Sequence, residues 1–229
     1  MPFSREAFID LFVQYNEAFW PVQWLLVGLA SLAVALAVNP RRRSAPAAGV
    51  GVSLILAFLW AWLALAYHLL YFTRINPLAW PFSAVSLIGA LAFLWQGVVR
   101  RRLRFHWTGD GHAWTGGALI GFALVLYPLW SWGAGHRYPN LVTFGLPCPT
   151  TIFTIGLLGL LETPHPRGVL IVPILWSLVG VQAALLLGVP QDLGLLAAAL
   201  FGGVLLARAG VRNAVTTTAD TGLRTPSDE

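Results

Sequence analysis

Apolar windows long enough to cross a bilayer recur along almost the whole chain, and they limit its fold more than any other feature. Crossing the hydrocarbon core takes about 20 apolar residues at about 1.5 Å rise each. Apolar residues make up 57% of the chain and charged residues 10%, far outside the soluble range. The sequence therefore predicts an all-α fold, a polytopic transmembrane helix bundle. The seven predicted spans are roughly residues 21–38, 48–72, 77–99, 113–133, 141–161, 168–188 and 191–209.

The two ends of the chain differ from the spans. In residues 1–20, Phe8, Phe12 and Tyr15 recur at helical spacing on one side, and Ser4 is suited to be the N-cap. This pattern predicts an amphipathic helix in the plane of the membrane interface. Residues 21–212 form the predicted transmembrane domain. Residues 213–229 are polar and lack apolar periodicity, which predicts a disordered cytoplasmic tail.

The distribution of arginine predicts the orientation of the chain, which contains no lysine. With seven spans, eleven arginines fall on one side, including Arg41–Arg43 and Arg100–Arg104, and three fall on the other. Positively charged loops stay cytoplasmic, so we expect the N-terminus outside and the C-terminus inside. The arginines lie close to span ends and form no basic face with interleaved aromatic residues, which argues against a nucleic-acid partner. The expected partner is the lipid bilayer.

With this topology, four segments bring polar groups to the outer ends of the spans. An ionisable side chain at membrane depth is costly and by default indicates a site facing the bundle interior or a water-filled cavity. His68 is the best example, while a hydrogen bond to a neighbouring helix is its alternative. For Arg137 and Glu17 the alternatives are lipid phosphates and solvation at the interface. The predicted outer pocket consists of Glu17, His68, Tyr71, His136, Arg137, Cys148 and Thr150.

Cys148 is the chain's only cysteine and lies between two prolines in the stretch "TFGLPCPTTIFTIG". We expect the prolines to interrupt a helix, and broken helices line the substrate sites of many transporters. The alternative is an inert, packed thiol. A soft metal ion could use Cys148 with His68 or His136, although no CxxC or HxxxH spacing is present. His68 and His136 could also ligate haem, and the sequence identifies no cofactor.

The inner loops "HWTGDGH" and "ETPHPR" are expected to be structural turns. The sequence contains no nucleotide-binding glycine loop, nucleophile elbow or zinc-protease motif. These observations argue against an ATP-driven or hydrolytic enzyme.

Four stretches together carry a resemblance to a known family: "YNEAFWPVQ", "YHLLYFTRINPLAW", "GHRYP" and "TFGLPCPTTIFTIG". Their joint occurrence resembles a family of uncharacterised bacterial multi-pass integral membrane proteins, over most of the chain. The resemblance implies a polytopic fold in a bacterial inner membrane. It implies no activity and supplies no catalytic residues.

Two functions therefore remain open. The first is a permease or channel-like protein whose outer pocket binds a small polar solute, ion or metal. The second is a non-transporting membrane scaffold or assembly partner, in which the polar residues stabilise the bundle. An intramembrane enzyme or haem protein is the minor alternative. The sequence assigns no oligomeric state.

Overall fold

The described part of the chain is helical, as the sequence predicts. The computed structural model describes residues 3–39, 46–187 and 189–221, and within these ranges it contains two isolated β-bridges and no β-strand. The helices are α1 (Arg5–Ala18), α2 (Val22–Val38), α3 (Pro46–Trp62), α4 (Ala79–Phe93), α5 (Gly111–Gly121), α6 (Tyr127–Gly133), α7 (Pro147–Leu158), α8 (Gly168–Leu187) and α9 (Gly194–Thr221). Residues Asn213–Thr221, expected in the tail, belong to α9, and 222–229 lie outside the described residues.

Three of these helices continue through a stretch of π-helix. The π-helical stretches are Leu63–Leu69 after α3, Leu94–Val99 after α4, and Phe122–Leu126 between α5 and α6. A π-helical turn holds an extra residue, so it rotates the side chains that follow it relative to a regular α-helix. Short 3₁₀ helices, Phe72–Arg74 and Pro190–Leu193, follow the first π-helix and precede α9.

Four helical stretches in the described residues are long and apolar enough to cross a membrane. They agree with four of the predicted spans to within two residues at each end. A fifth arises if α1 and α2, which meet at a bend of 86°, count together as one. The four stretches are Pro46–Arg74, Ala79–Val99, Gly111–Gly133 and Pro190–Ala209.

Within residues 3–39, 46–187 and 189–221, the number of candidate spans is therefore four or five by length and composition, not clearly the seven that hydropathy predicts. Window 141–161 holds only α7, whose 12 residues reach about 18 Å. Window 168–188 coincides with α8, which has 20 residues and contains Pro173. All residues of α7 except Cys148 are buried. Hydropathy cannot distinguish a short helix enclosed by protein from one that crosses lipid.

The two prolines that flank Cys148 begin α7, whereas the sequence led us to expect a helix interrupted around the thiol. Leu146 is extended and forms the N-cap, and Pro147 and Pro149 both lie in the first helical turn. Proline is tolerated there because the first backbone N–H groups of a helix have no intrahelical partner. Cys148 consequently lies at the N-terminal end of a short helix in the centre of the bundle.

The helix α1 buries Phe8, Leu11, Phe12 and Tyr15, while its amphipathic position at the membrane interface stays a prediction. Ser4 Oγ accepts a hydrogen bond from the Ala7 N–H at 3.2 Å, which caps the helix. The buried face packs its aromatic rings on the π-helix and the 3₁₀ helix that follow α3. Between ring centroids, Phe8 lies 6.3 Å from Phe72, and Tyr15 lies 5.7 Å from Tyr67. The N-terminal helix therefore covers one end of the bundle.

Asp110 caps the N-terminus of α5. Its carboxylate accepts hydrogen bonds from the N–H groups of His112 at 3.0 Å and Ala113 at 2.9 Å. These bonds, Ala113 first, lower the pKa of Asp110. We expect Asp110→Ala to lower stability by about 1 kcal/mol. Because the pKa of Asp110 is lower in the folded than in the unfolded protein, the stability that this cap adds is present above the unfolded pKa. It is lost as the pH falls through the folded pKa. Thermal unfolding of the wild type and of Asp110→Ala at pH 7 and at pH 3 measures this contribution. The control is Asp10→Ala, which changes an exposed carboxylate.

Candidate functional site

A cavity of about 230 Å³ is lined by α1, α4, α6, α8, the helical segments that follow α3, and the segments that begin α7 and α9. It is larger than an engineered apolar cavity of about 150 Å³ that binds benzene. Leu78 and Val179 line it and are exposed, so the cavity opens at that side. Its wall is mainly apolar and rich in aromatic rings, which are supplied by Phe3, Phe8, Phe12, Tyr67, Phe72, Phe82, Tyr127 and Trp176, and it also includes the polar residues Asn76 and Gln182.

The polar end of this cavity is formed by Asp192, Tyr127 and Cys148. Asp192 is 2% exposed, and the hydroxyl of Tyr127 donates a short hydrogen bond to its Oδ1 atom. Cys148 lies beside Asp192 in the wall of the same cavity. No arginine, lysine or histidine occurs among the described residues that line the cavity. We call this feature the Asp192 cavity.

Irregular helical segments position the groups of the Asp192 cavity. Tyr67 lies within the π-helix Leu63–Leu69, and Tyr127 directly follows the π-helix Phe122–Leu126. Asp192 lies in the 3₁₀ helix before α9, where its N–H donates to the Val189 carbonyl at 3.0 Å. Because π-helical turns are frequent at functional sites, their position beside both tyrosines agrees with a binding role for the cavity.

Of the seven residues in the predicted outer pocket, the structure places Cys148 in the wall of the Asp192 cavity and the other six outside it. His68 is completely buried behind the wall, with its ring 4.7 Å from Trp176 and 6.0 Å from Phe82 between centroids. Neither ring nitrogen of His68 has a hydrogen-bond partner among the described residues. Tyr71 packs under Arg74, whose guanidinium lies 4.4 Å from the ring centroid.

The remaining predicted pocket residues lie in three separate places. Glu17 is exposed on α1. Thr150 is fully buried in α7, and its hydroxyl has no hydrogen-bond partner in the part of the chain that the structure describes. His136 and Arg137 lie in the loop after α6, where Arg137 stacks 5.0 Å over Trp132. The described residues contain no group of three or more His, Cys, Asp or Glu side chains that could hold a metal ion, so the metal hypothesis gains no geometric support.

Asn16 is the residue that joins the polar motifs noted in the sequence. Its Nδ2 atom donates to the carbonyls of Pro139 and Leu141, both at 2.7 Å, and its Oδ1 atom accepts from Thr143 Oγ1 at 2.9 Å. Nearby, the Tyr15 hydroxyl donates to the Gly145 carbonyl at 3.2 Å. These bonds fasten α1 to the loop before α7. The polar residues of these two motifs therefore bind each other.

Sequence reasoning missed Asp192 and Tyr127. A detectable signal existed for Asp192, because it is an acidic residue inside the predicted window 191–209. The rule that selected His68, that an ionisable group at membrane depth indicates a site, applies equally to it. Tyr127 has no such signal, since its partner lies 65 residues away.

A second, polar cavity of about 330 Å³ joins the two inner loops that were expected to be turns. It is lined by His106, His112, His165, Glu162 and Arg208, among others. An Arg208 guanidinium nitrogen contacts the ring of His112. Burial lowers the pKa of His165, which favours its neutral form. The backbone joins the loops as well, since the His106 N–H donates to the Leu160 carbonyl at 2.8 Å.

Comparison with known proteins gives one match. The model of a family of unknown function, DUF6064, matches residues 5–217. No curated protein and no solved structure matches the chain.

Proposed function

We propose that this chain, which belongs to the DUF6064 family of unknown function, is a multi-pass membrane protein that binds one small, mainly apolar molecule in the Asp192 cavity. The observation that carries the proposal is the cavity itself, with aromatic walls and one buried polar end. Small-molecule sites typically combine apolar walls with a few convergent polar groups. The aromatic wall favours such a ligand over the small polar solute expected from sequence.

The proposed topology has seven passes, one of them built from α7 and the loop before it. At one end, this loop is bound to α1 through Asn16. At the other end, the Glu162 N–H donates to the Arg104 carbonyl at 2.9 Å, next to the arginine-rich loop. Segment 139–162 thus extends from the α1 end of the bundle to the arginine-rich end. Irregular backbone is compatible with membrane depth where protein encloses it.

This topology supports the orientation derived from the arginines. The arginine-rich loops face the cytoplasm of a bacterial inner membrane, and the C-terminus lies on the same side. The helix α1 and its bend then lie at the outer interface, and the Asp192 cavity lies on the outer side of the bundle. We assign the binding activity to the permease class because a short central helix with its N-terminus beside a ligand cavity is typical of transporters.

Cys148 provides a direct measurement of access to the cavity. As the chain's only cysteine and part of the cavity wall, it reports there alone. We expect methyl methanethiosulfonate to modify it in the folded protein and saturating tert-butylbenzene, a probe of about cavity size, to slow that reaction at least about fivefold. Mass spectrometry of the intact protein follows the reaction.

The matched controls are His136→Ala and Glu17→Gln, which lie outside the cavity wall. Protection should be unchanged in both. A thiol that reacts only after unfolding, or equally fast with and without the probe, would contradict the proposed binding function. The scaffold alternative predicts that result.

A further inference from the structure

We infer that the ligand of the Asp192 cavity is a small organic cation, whose ammonium group is held by the Asp192 carboxylate and the surrounding aromatic rings. This inference rests on the proposed binding function and adds the chemical class of the ligand. Nothing in the family match assigns a ligand.

The charges that line the cavity favour a cation. Asp192 is the only acidic residue in the wall, and no basic side chain is present among the described lining residues. An anionic ligand would meet a buried carboxylate with no positive side chain in the cavity wall to offset it, whereas a cation would complete an ion pair. Opposite charges attract more strongly in a buried site than in water because the effective dielectric constant is lower.

The aromatic walls favour the same class of ligand. The face of an aromatic ring carries a negative electrostatic potential that attracts ammonium groups, most strongly for tryptophan. Tyr67, Tyr127 and Trp176 line the cavity together with five phenylalanines. A cage of aromatic rings around one carboxylate can replace the water that an alkylated ammonium loses on entering.

The Asp192 carboxylate is held in place and keeps free acceptor sites. The Tyr127 hydroxyl donates a hydrogen bond to it, and Cys148 is its other neighbour in the cavity wall. An ionised carboxylate has about four lone-pair sites, so these two neighbours leave room for a ligand donor or cation.

A pair of probes with equal shape isolates the charge. Phenyltrimethylammonium and tert-butylbenzene differ essentially by a positive nitrogen in place of carbon, and both have about the size that the cavity admits. The measurement is the probe concentration that halves the rate of Cys148 modification, in the full-length wild-type protein and in Asp192→Asn. For each probe, the half-protecting concentration on the wild type is compared with that on Asp192→Asn, so the partition of the probe into detergent cancels from the ratio.

We expect Asp192→Asn to raise the half-protecting concentration of phenyltrimethylammonium at least about tenfold and to change that of tert-butylbenzene less than about twofold. Glu17→Gln removes one exposed carboxylate and should change neither value. Asparagine keeps the shape of the side chain and an oxygen that accepts from Tyr127.

The failures of the two proposals differ. If tert-butylbenzene protects Cys148 while phenyltrimethylammonium does not, the cavity binds ligands and the cation inference is wrong. If the cation protects both proteins equally, Asp192 does not select it and the inference is also wrong. If tert-butylbenzene does not protect the wild type, the proposed binding of a mainly apolar molecule is wrong, and if phenyltrimethylammonium fails as well, the cation inference is wrong with it.

A second measurement needs no variant and covers the case in which Asp192→Asn does not fold. Cationic and anionic methanethiosulfonates, with ethyltrimethylammonium and ethylsulfonate groups, are reacted with Cys148 and with free 2-mercaptoethanol. The ratio of the two rates on the protein cancels the thiolate fraction of Cys148. The inference requires a ratio at least about tenfold larger on the protein than on the free thiol. An equal or smaller ratio overturns it.

Discussion

Gly116→Ala is expected to lower the stability of the protein by about 3 kcal/mol or more. A Cβ atom at Gly116 would lie 2.5 Å from the Gly156 carbonyl oxygen, and one at Gly156 would lie 2.8 Å from the Gly116 oxygen. Both contacts are with backbone, which cannot rotate away. The helices α5 and α7 would therefore have to separate. Thermal unfolding in detergent, followed by tryptophan fluorescence, measures the loss.

Gly121→Ala is the matched control on the same helix. A Cβ atom at Gly121 meets nothing within 4 Å, so this substitution adds only the helix propensity of alanine. Alanine favours a helix interior over glycine by up to about 1 kcal/mol. Its melting temperature should equal or exceed that of the wild type. Equal melting temperatures for Gly116→Ala and Gly121→Ala would show that α5 and α7 do not make this close contact.

Asn16→Ala is expected to cost about 3 kcal/mol, because it removes the donor to two backbone carbonyls and the acceptor for Thr143. Asn16 is fully buried, so water cannot reach these groups without local opening. The helix α1 should then release from the loop before α7. The measurement is the melting temperature together with hydrogen exchange of α1 amides, which should become faster.

Two variants make the Asn16 prediction specific. Asn16→Asp keeps the size of the side chain but places a carboxylate against two carbonyl oxygens, so it should destabilise at least as much as Asn16→Ala. Glu17→Ala changes the exposed neighbour and should leave both readouts unchanged. An Asn16→Asp protein as stable as the wild type would rule out the hydrogen bonds to Pro139 and Leu141.

The helical fold was predictable because apolar length is a local property. Spans such as Pro46–Arg74 and Gly111–Gly133 agree with the sequence windows to within two residues. The role of α7 was not predictable, because its apolar residues face other helices. Hydropathy does not distinguish residues that face protein from residues that face lipid. The prolines beside Cys148 were misread since proline interrupts a helix interior yet begins a helix at its first turn.

The candidate site was only partly predictable. Cys148 stood out by composition and does line the cavity, and Asp192 could have been found by the rule applied to His68. The hydrogen bond between Tyr127 and Asp192 could not be predicted, because it joins residues that are far apart in sequence and are positioned by π-helical and 3₁₀ segments. Asn16 stands in a sequence motif as conspicuous as that of Cys148, but the side chain of Asn16 stabilises the fold.

The position of a bound cation in a crystal of the protein tests most directly whether the Asp192 cavity binds an organic cation. We propose soaking with 4-bromophenyltrimethylammonium and locating its bromine by anomalous scattering. We expect a peak inside the Asp192 cavity, with the ammonium group beside the Asp192 carboxylate and within about 6 Å of an aromatic ring centroid. Bromine bound only elsewhere, with the cavity free of the probe at saturating concentration, would contradict this expectation.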